Sequence, residues 1–166
     1  MRLVRTLVSM LLLAAPAAAQ GVTKDAPART GEEQAVLAVV NRLFDAMRAG
    51  DSAAVRAVVH PNGTLFRLAE RDGAPTLGTD SIGAFVRAVG RPHAEVWDER
   101  TANERVFVDG PLAMVWADYW FFAGSTFSHC GVDAFQLYKG AKGWQIASIA
   151  DTRRREGCAP APARRP

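Results

Sequence analysis

The stretch LAMVWADYWFFA, at Leu112–Ala123, opens the part of the chain that decides the fold. Two similar runs follow it, STFSHCGVDAFQLYK at Ser125–Lys139 and GWQIASIADTR at Gly143–Arg153. Segments rich in Val, Ile, Phe, Tyr and Trp that are separated by glycine-containing turns are typical of consecutive antiparallel strands. The turns lie at Gly124 and at Gly140–Gly143. The sequence therefore predicts a three-stranded meander.

Toward the N-terminus the pattern changes from strands to helices. Glu32–Ala49 carries apolar residues at three- and four-residue intervals, which predicts an amphipathic helix. Two shorter helices are predicted at Ala53–Val59 and from Thr79 or Asp80 to Val89, and a further long strand at His93–Val108. Helices followed by an antiparallel meander predict an α+β domain in which the helices cover one face of the sheet.

The first 19 residues have the pattern of a signal peptide. A positive start is followed by a short apolar run and by a small-residue cleavage site near Ala19–Gln20. We expect residues 20–31 to be a flexible lead, residues 32–158 to form one domain, and residues 159–166 to be a disordered Pro/Ala/Arg tail. No later segment has the roughly 20 apolar residues that a membrane span needs. The protein is therefore expected to be periplasmic or secreted.

The net charge argues against a nucleic-acid partner, and the cysteine content predicts a disulfide. Removal of Arg2 and Arg5 with the signal peptide lowers Lys+Arg from 20 to 18 against 17 acidic residues, a net charge of +1. A nucleic-acid partner would require a concentrated basic face, so none is expected. Cys130 and Cys158 are the two cysteines, and an even count in an oxidising compartment predicts that they form a disulfide.

Several segments taken together resemble a known superfamily. After the amphipathic first helix come GDSAAVRAVVHPNGTLF, GTDSIGAFV and long strands that end in GWQIASIADTR. Over residues 32–153 this order is similar to the nuclear transport factor 2-like superfamily, in particular to its small secreted bacterial members. The resemblance implies a strongly curved antiparallel sheet that forms a cone with an internal pocket, and frequent homodimerisation through the sheet. The superfamily includes ketosteroid isomerases, scytalone dehydratase, polyketide cyclases and members without known activity, so membership alone does not supply the function.

The turns predict which side chains share a face of the sheet. We assume a two-residue loop at Gly124–Ser125, a four-residue loop at Gly140–Gly143 and regular ladders. One face of the meander then carries the acidic and histidine side chains Asp118, His129 and Asp133. We take this face as the pocket side and expect the opposite face, which includes Tyr119 and Cys130, to pack on a second subunit. The predicted pocket face comprises Trp116, Asp118, Trp120, His129, Asp133, Phe135, Leu137, Ile146, Ser148 and Ala150.

Asp133 is the candidate general base, because apolar neighbours raise the pKa of a carboxyl group. Asp118 and His129 are candidates to support it. Two alternatives remain open: Asp133 is a hydrogen-bonded core residue, and His129 is a rim residue that shields the disulfide. The candidate ligand-binding residues are Trp116, Trp120, Phe135, Ile146 and Phe44.

No cofactor is implied by the sequence, and the three dispersed histidines do not predict a metal site. Three functions remain in competition. The first is an extracytoplasmic protein that binds a small hydrophobic or aromatic molecule without chemistry. The second is a cofactor-independent isomerase, dehydratase or cyclase that uses Asp133 as its base. The third is a dimeric interaction module with a vestigial pocket.

Overall fold

The structure, a computed structural model, describes residues 28–164. The signal peptide and most of the lead predicted from the sequence lie outside the described residues. The described chain confirms the α+β prediction, with three helices before or between the first strands and a meander at the end. The helices are α1 (Gly31–Ala49), α2 (Ser52–Val58) and α3 (Ile82–Val89). The strands are β1 (Val59–Arg71), β2 (Ala74–Ser81), β3 (Trp97–Asp109), β4 (Leu112–Ala123), β5 (Thr126–Gly140) and β6 (Gly143–Arg153).

The strands form one six-stranded sheet in the order β2-β1-β6-β5-β4-β3. The β1–β6 pair is parallel and the other pairs are antiparallel. The parallel pair brings the first strand of the chain beside the last, so the N-terminal hairpin and the C-terminal meander become one surface. Within residues 28–164, no helix combines the length and hydropathy that crossing a membrane requires.

Helix α1 has clear sequence signals at both ends. Thr30 and Glu33 form a reciprocal capping box at its start, and Gly50 ends it in the left-handed conformation at φ 65°. Its apolar side is buried, and the Phe44 ring meets Phe135 of β5 edge to face at 5.9 Å. We call the face of the sheet that packs on α1 the inner face, and the opposite one the outer face.

The two hairpin turns are at the predicted positions, but a β-bulge in β5 changes the face prediction. Ala123 pairs with Thr126 as the two-residue loop requires, whereas Phe121 pairs with His129 and Phe122 with Phe127. Ser128 is therefore an extra residue in β5. A bulge shifts the register by one, and a shift of one moves a side chain to the other face. Beyond Ser128, the side chains of β4 therefore share a face with the opposite set of β5 side chains from the set predicted for a regular ladder.

A second bulge, in β6, has the same effect on the next pair of strands. Leu137 pairs with Ile146, but Gln136 pairs with Ser148, which leaves Ala147 as the extra residue. As a result Asp133 is opposite Asp151, and the prediction that it is opposite Ala150 was wrong.

Cys130 and Cys158 form the predicted disulfide. Cys130 is on the outer face of β5, and its backbone also pairs with Arg154 just beyond β6. The disulfide therefore fastens the segment after β6 to the middle of the sheet.

The segment after Cys158 contacts the sheet, although a disordered tail was expected there. The Trp120 indole Nε1 donates to the Ala159 carbonyl at 2.7 Å, and an Arg100 guanidinium nitrogen donates to the Pro162 carbonyl at 3.3 Å. Over residues 159–164 the tail thus covers part of the outer face.

Candidate functional site

A cavity of about 380 Å3 lies between the inner face of the sheet and helices α1 and α3. Leu43 and Met47 of α1, Leu65 of β1 and Ile149 of β6 give it aliphatic walls. Aromatic side chains form the rest of the apolar lining: Phe44, Phe85, Trp97, Tyr119, Phe121 and Phe135. Its volume is within the ~300–1,000 Å3 range of pockets that hold small organic ligands.

Three carboxyl groups from three different strands line this apolar cavity. Glu99 comes from β3, Asp133 from β5 and Asp151 from β6, and we call them the carboxyl cluster. Asp133 is only 3% exposed and is directly opposite Asp151 in the β5–β6 ladder. Oδ2 of Asp133 and Oδ1 of Asp151 are buried and have no hydrogen-bond partner among residues 28–164. Buried carboxyl oxygens without partners are rare in folded proteins, so the cluster requires an explanation.

The carboxyl groups of Glu99 and Asp133 are close enough to share a hydrogen bond. Such a bond needs one proton between the two groups. Burial raises the pKa of Asp133 well above its usual value, and the charge of Glu99, its hydrogen bond and the charge of Asp151 raise it further. Burial also raises the pKa of Glu99 to about 7, while the hydrogen bond with Asp133 opposes that rise. Near neutral pH Asp133 therefore holds the shared proton and Glu99 accepts it.

Asp151 joins the carboxyl cluster to the solvent-exposed side of the cavity. Burial raises the pKa of Asp151, and the positive charges of Arg153 and Arg67 partly offset this effect. The Arg153 guanidinium is 3.6 Å from Asp151 Oδ2, and its side chain is 46% exposed. Arg67 lines the cavity from β1 and also pairs with Asp80. Of the three acids, Asp151 is therefore the one that forms an ion pair, which favours its charged form.

His129 belongs to an aromatic wall beside the cluster. Its ring stacks on Phe121 at 5.0 Å and meets Tyr119 edge to face at 5.7 Å. Nδ1 is 2.9 Å from the Ser128 hydroxyl. Burial, together with the positive charges of Arg153 and Arg155, lowers the pKa of His129 to about 4. At neutral pH the ring is therefore uncharged and serves as a flat wall.

The hydroxyl group of Tyr119 is already hydrogen-bonded within the protein. Its hydroxyl donates to the Thr152 carbonyl at 2.8 Å, and burial raises its pKa. The contact depends on Gly131, because a Cβ there would be 1.8 Å from the Thr152 carbonyl oxygen and 2.7 Å from the Tyr119 ring. Glycine at 131 thus lets the ends of β5 and β6 approach closely over the tyrosine. The Tyr119 hydroxyl is consequently not available as a donor to a ligand.

The structure brings together some of the residues predicted for the site. Asp133 and His129 line the cavity, as do the predicted ligand-binding residues Phe135 and Phe44. Ile146 is on the inner face, fully buried in the core cluster below the cavity lining.

The other three predicted residues were placed on the wrong face. Because of the bulge at Ser128, Trp116, Asp118 and Trp120 point to the outer face. Trp116 is 45% exposed, Trp120 contacts the tail, and the Asp118 carboxylate accepts a hydrogen bond from the Asn103 amide at 2.8 Å. Asp118 therefore lies on the opposite face from Asp133 and does not support it as predicted.

Sequence reasoning missed two members of the carboxyl cluster. Asp151 follows Ile149 at a two-residue interval, which is a usable signal once Ile149 is placed on the inner face. Glu99 has no such signal, because it lies in the polar run Asp98–Glu99–Arg100, which is typical of a solvated strand. Tyr119 was predicted for the opposite face, and the bulge again accounts for the error.

The cluster offers acceptors and one shared proton, so it can bind hydrogen-bond donors or exchange a proton with a bound molecule. Among residues 28–164 no group of three or more His, Cys, Asp or Glu side chains has an arrangement that could hold a metal ion.

Comparison with known proteins agrees with this architecture. Residues 31–150 match the model of a family described as "Putative lumazine-binding". No curated protein matches the chain.

Solved structures show the same fold at low sequence identity. The CaMKII hub of S. rosetta is 21% identical, with a TM-score of 0.61 over 76% of this chain and 100% of that chain. A nuclear transport factor 2-like superfamily protein from Salmonella enterica is 14% identical, with a TM-score of 0.59 over 76% and 94%. A nuclear transport factor 2-like protein with a cystatin-like fold from Novosphingobium aromaticivorans is 14% identical, with a TM-score of 0.59 over 77% and 85%.

Since the family model spans most of the domain, the chain belongs to the family described as "Putative lumazine-binding", and its fold is that of the nuclear transport factor 2-like structures.

Proposed function

We propose that the protein binds a small, flat, hydrophobic or aromatic molecule inside the cone, in an extracytoplasmic compartment. The observation that carries the proposal is the open cavity of about 380 Å3 with six aromatic side chains in its lining. A cavity of this size inside a small domain is unusual, because protein interiors are close-packed. The cavity therefore favours a binding role over a vestigial pocket.

The disulfide supports the proposed extracytoplasmic location. Disulfides persist outside the cytoplasm and are rare in reducing compartments. The Cys130–Cys158 bond joins two parts of one domain rather than forming a reactive pair, since Cys130 is only 2% exposed. The signal-peptide pattern of the first 19 residues agrees with this location.

The family description suggests a first probe. Lumazine is a planar bicyclic heterocycle with N–H and carbonyl groups on its edges, so it can stack on aromatic walls and donate to carboxylates. We expect lumazine to bind to the oxidised protein with a stoichiometry of one per chain, measured by isothermal titration calorimetry. A flat apolar probe of similar size, 1-naphthol, tests shape without that polar pattern.

Two matched variants locate the binding. Ala88 of α3 lines the cavity, and Ala88→Phe fills part of it. Ala134 is on the outer face of β5, so Ala134→Phe adds the same ring elsewhere. The proposal expects Ala88→Phe to abolish binding and Ala134→Phe to leave it unchanged. Failure of both probes to bind, or equal binding to both variants, would contradict it.

A second candidate function rests on the shared proton of Glu99 and Asp133. A protonated acid beside a carboxylate whose pKa is about 7 supplies a general acid and a general base in one site. This suits an isomerase, dehydratase or cyclase that moves a proton without a cofactor. With Tyr119 engaged elsewhere, the Asp133 proton is the donor such a reaction would use.

The enzymatic alternative is tested with a β,γ-unsaturated ketone, 5-androstene-3,17-dione, by following the conjugated product in the ultraviolet. It expects Glu99→Gln and Asp133→Asn each to lower turnover by at least about 100-fold, as is typical for loss of a general acid or base. Asp118→Asn, on the outer face, is the control. Equal turnover in all four proteins would remove the cluster from any such chemistry.

We further propose that the protein is a homodimer formed through the outer face. Phe107, Met114 and Trp116 are neighbours on adjacent strands of this face and are 55%, 38% and 45% exposed. Exposed apolar side chains that cluster in this way mark an interaction surface.

A further inference from the structure

The carboxyl cluster carries an inference about the chemical class of the ligand, which rests on the proposed binding function. Two of its oxygens, Asp133 Oδ2 and Asp151 Oδ1, are buried without a partner among the described residues. Both side chains line the cavity, and Asp133 is only 3% exposed. A buried polar atom left without a partner destabilises the protein, and a ligand that donates to it removes that cost.

None of the donors among residues 28–164 reaches these two oxygens. The Tyr119 hydroxyl donates to the Thr152 carbonyl, and His129 Nδ1 is bonded to the Ser128 hydroxyl. Arg153 is on the side of Asp151 that carries Oδ2, so it leaves Oδ1 unpartnered. The missing donors must therefore come from a molecule in the cavity.

The two acceptors are close enough for one small group to reach both. Asp133 and Asp151 are directly opposite in the ladder, and opposed residues have Cβ atoms about 4.5–5.5 Å apart. Three acids in one cluster repel an anion or a carbonyl edge and attract a donor or a cation. The aromatic walls restrict that molecule to a flat shape.

We propose that the carboxyl cluster selects planar heterocycles that present two adjacent N–H donors, as in the N–C–N edge of an amidine or a 2-amino-azole. This edge donates to Asp133 and Asp151 together while the ring lies between the aromatic walls. A flat molecule of the same size without donors fits the cavity but leaves both oxygens unpaired. Sites built to hydrogen-bond a substrate reject the analogue that lacks the bond, so the selectivity is built into the cluster.

The test compares two probes of nearly the same size and shape. 2-Aminobenzimidazole carries the donor edge, whereas 2-methylbenzoxazole has no N–H donor. Affinities are measured by isothermal titration calorimetry on the intact oxidised protein. We expect 2-aminobenzimidazole to bind at least about 10-fold more tightly, the factor that one unsatisfied buried acceptor represents.

Single variants assign the preference to the cluster. Asp133→Leu and Asp151→Leu each remove an acceptor while keeping the number and branching of the side-chain heavy atoms, and each is expected to reduce the preference for 2-aminobenzimidazole to less than about 2-fold. Asp118→Leu makes the same change on the outer face and is expected to retain it. Binding of 2-methylbenzoxazole reports in every variant that the pocket is intact.

Each outcome decides between the proposals. Equal affinity of the two probes for the unmodified protein, or a preference that persists in both cluster variants, overturns the donor-edge inference and leaves a binding pocket. Absence of binding by both probes to the unmodified protein overturns the binding function and the inference together. A preference that vanishes only in the cluster variants supports both.

Discussion

The inner and outer faces of the sheet are made by alternate residues of the same strands. Acidic and aromatic side chains are buried on the inner face and exposed or hydrogen-bonded near solvent on the outer face. On the inner face Asp133 is 3% exposed and keeps an oxygen without a partner among the described residues. On the outer face Asp118 is bonded to Asn103 near solvent. Phe135 is 1% exposed on the inner face, whereas Trp116 is 45% exposed on the outer one.

The difference teaches that residue type alone does not identify a functional position in this sheet. A carboxylate near solvent forms hydrogen bonds with water or with a neighbouring side chain, so its charge is stabilised. The same group in a low-dielectric cavity shares a proton and acquires a raised pKa. Substitutions on the two faces are therefore expected to differ in their effects on stability, pH dependence and assembly.

Truncation of an aromatic side chain should affect the two faces very differently. Phe135→Ala should lower the free energy of unfolding by about 3–5 kcal/mol, because it leaves a cavity beside Phe44. Trp116→Ala should change it by less than about 0.5 kcal/mol in the monomer, as exposed substitutions do. Urea unfolding at low protein concentration measures both. Equal losses in the two variants would mean that the outer face is buried in the monomer.

Removal of the disulfide should destabilise the fold while leaving the cavity intact. The bond joins residues 28 positions apart, and the chain-entropy model assigns about 3–4 kcal/mol to a loop of that length. The Cys130→Ser, Cys158→Ser double variant avoids an odd thiol and should lose this amount in urea unfolding. Probe affinity should not change, since neither cysteine lines the cavity. A matching loss of affinity would show that the tail supports the inner face as well.

The pH dependence of stability should contain two opposing contributions from the inner face. The pKa of Glu99 is raised from 4.5 to about 7, so between these values the native state binds more protons, and the free energy of unfolding falls as pH rises. The raised pKa values of Asp133 and Asp151 act in the same direction. The pKa of His129 is lowered from 6.5 to about 4, so between these values the unfolded state binds more protons and the free energy of unfolding rises.

The two contributions are separated by single variants. Glu99 is faced by Asp133 and Asp151 and by the charges of Arg153 and Asp98, and Arg153 and Arg155 act on His129. Glu99→Gln should make the fall with pH shallower, because Asp133 and Asp151 still contribute to it, and His129→Phe should make the fall steeper, each by on the order of 2–3 kcal/mol between pH 4.5 and 6.5.

Unfolding in urea at several pH values measures these slopes. Asp118→Asn, on the outer face, is the control and should keep the pH profile of the unmodified protein. Slopes that are identical in all four proteins would contradict the assignment of perturbed groups to the inner face.

Charge on the outer face should change assembly and little else. Trp116→Glu places a carboxylate among Phe107 and Met114 and is expected to convert the proposed homodimer to a monomer in sedimentation equilibrium, because an unpaired charge in an apolar interface is strongly unfavourable. The stability of the monomer should stay within about 0.5 kcal/mol. Probe affinity should be unaffected. A monomeric unmodified protein would contradict the dimer proposal directly.

The local signals predicted most of the fold. The capping residues and the apolar stripe of α1, the hairpin turns and the strand composition act over a few residues, and the corresponding elements appear within a few residues of the predicted bounds. The family resemblance added the cone and its pocket. In the site, Asp133, His129, Phe135 and Phe44 were found because their apolar surroundings are visible in the chain itself.

The remaining site residues depended on two bulges. A bulge adds one residue, and because strand side chains alternate with a period of two, that one residue exchanges the faces beyond it. No glycine or proline lies at or next to Ser128 or Ala147, so the sequence contains no signal for either bulge. This is why Trp116, Asp118 and Trp120 were placed in the pocket and Tyr119 was placed outside it.

By itself, then, the sequence determined the α+β class, the order of helices and strands, the Cys130–Cys158 disulfide and the presence of a buried acid at position 133. Only the tertiary structure decided which acids meet it. Glu99 and Asp151 are 34 and 18 positions from Asp133 in the chain and come from different strands. Their proximity depends on the register and curvature of the whole sheet, which are set by packing against α1 rather than by any local pattern.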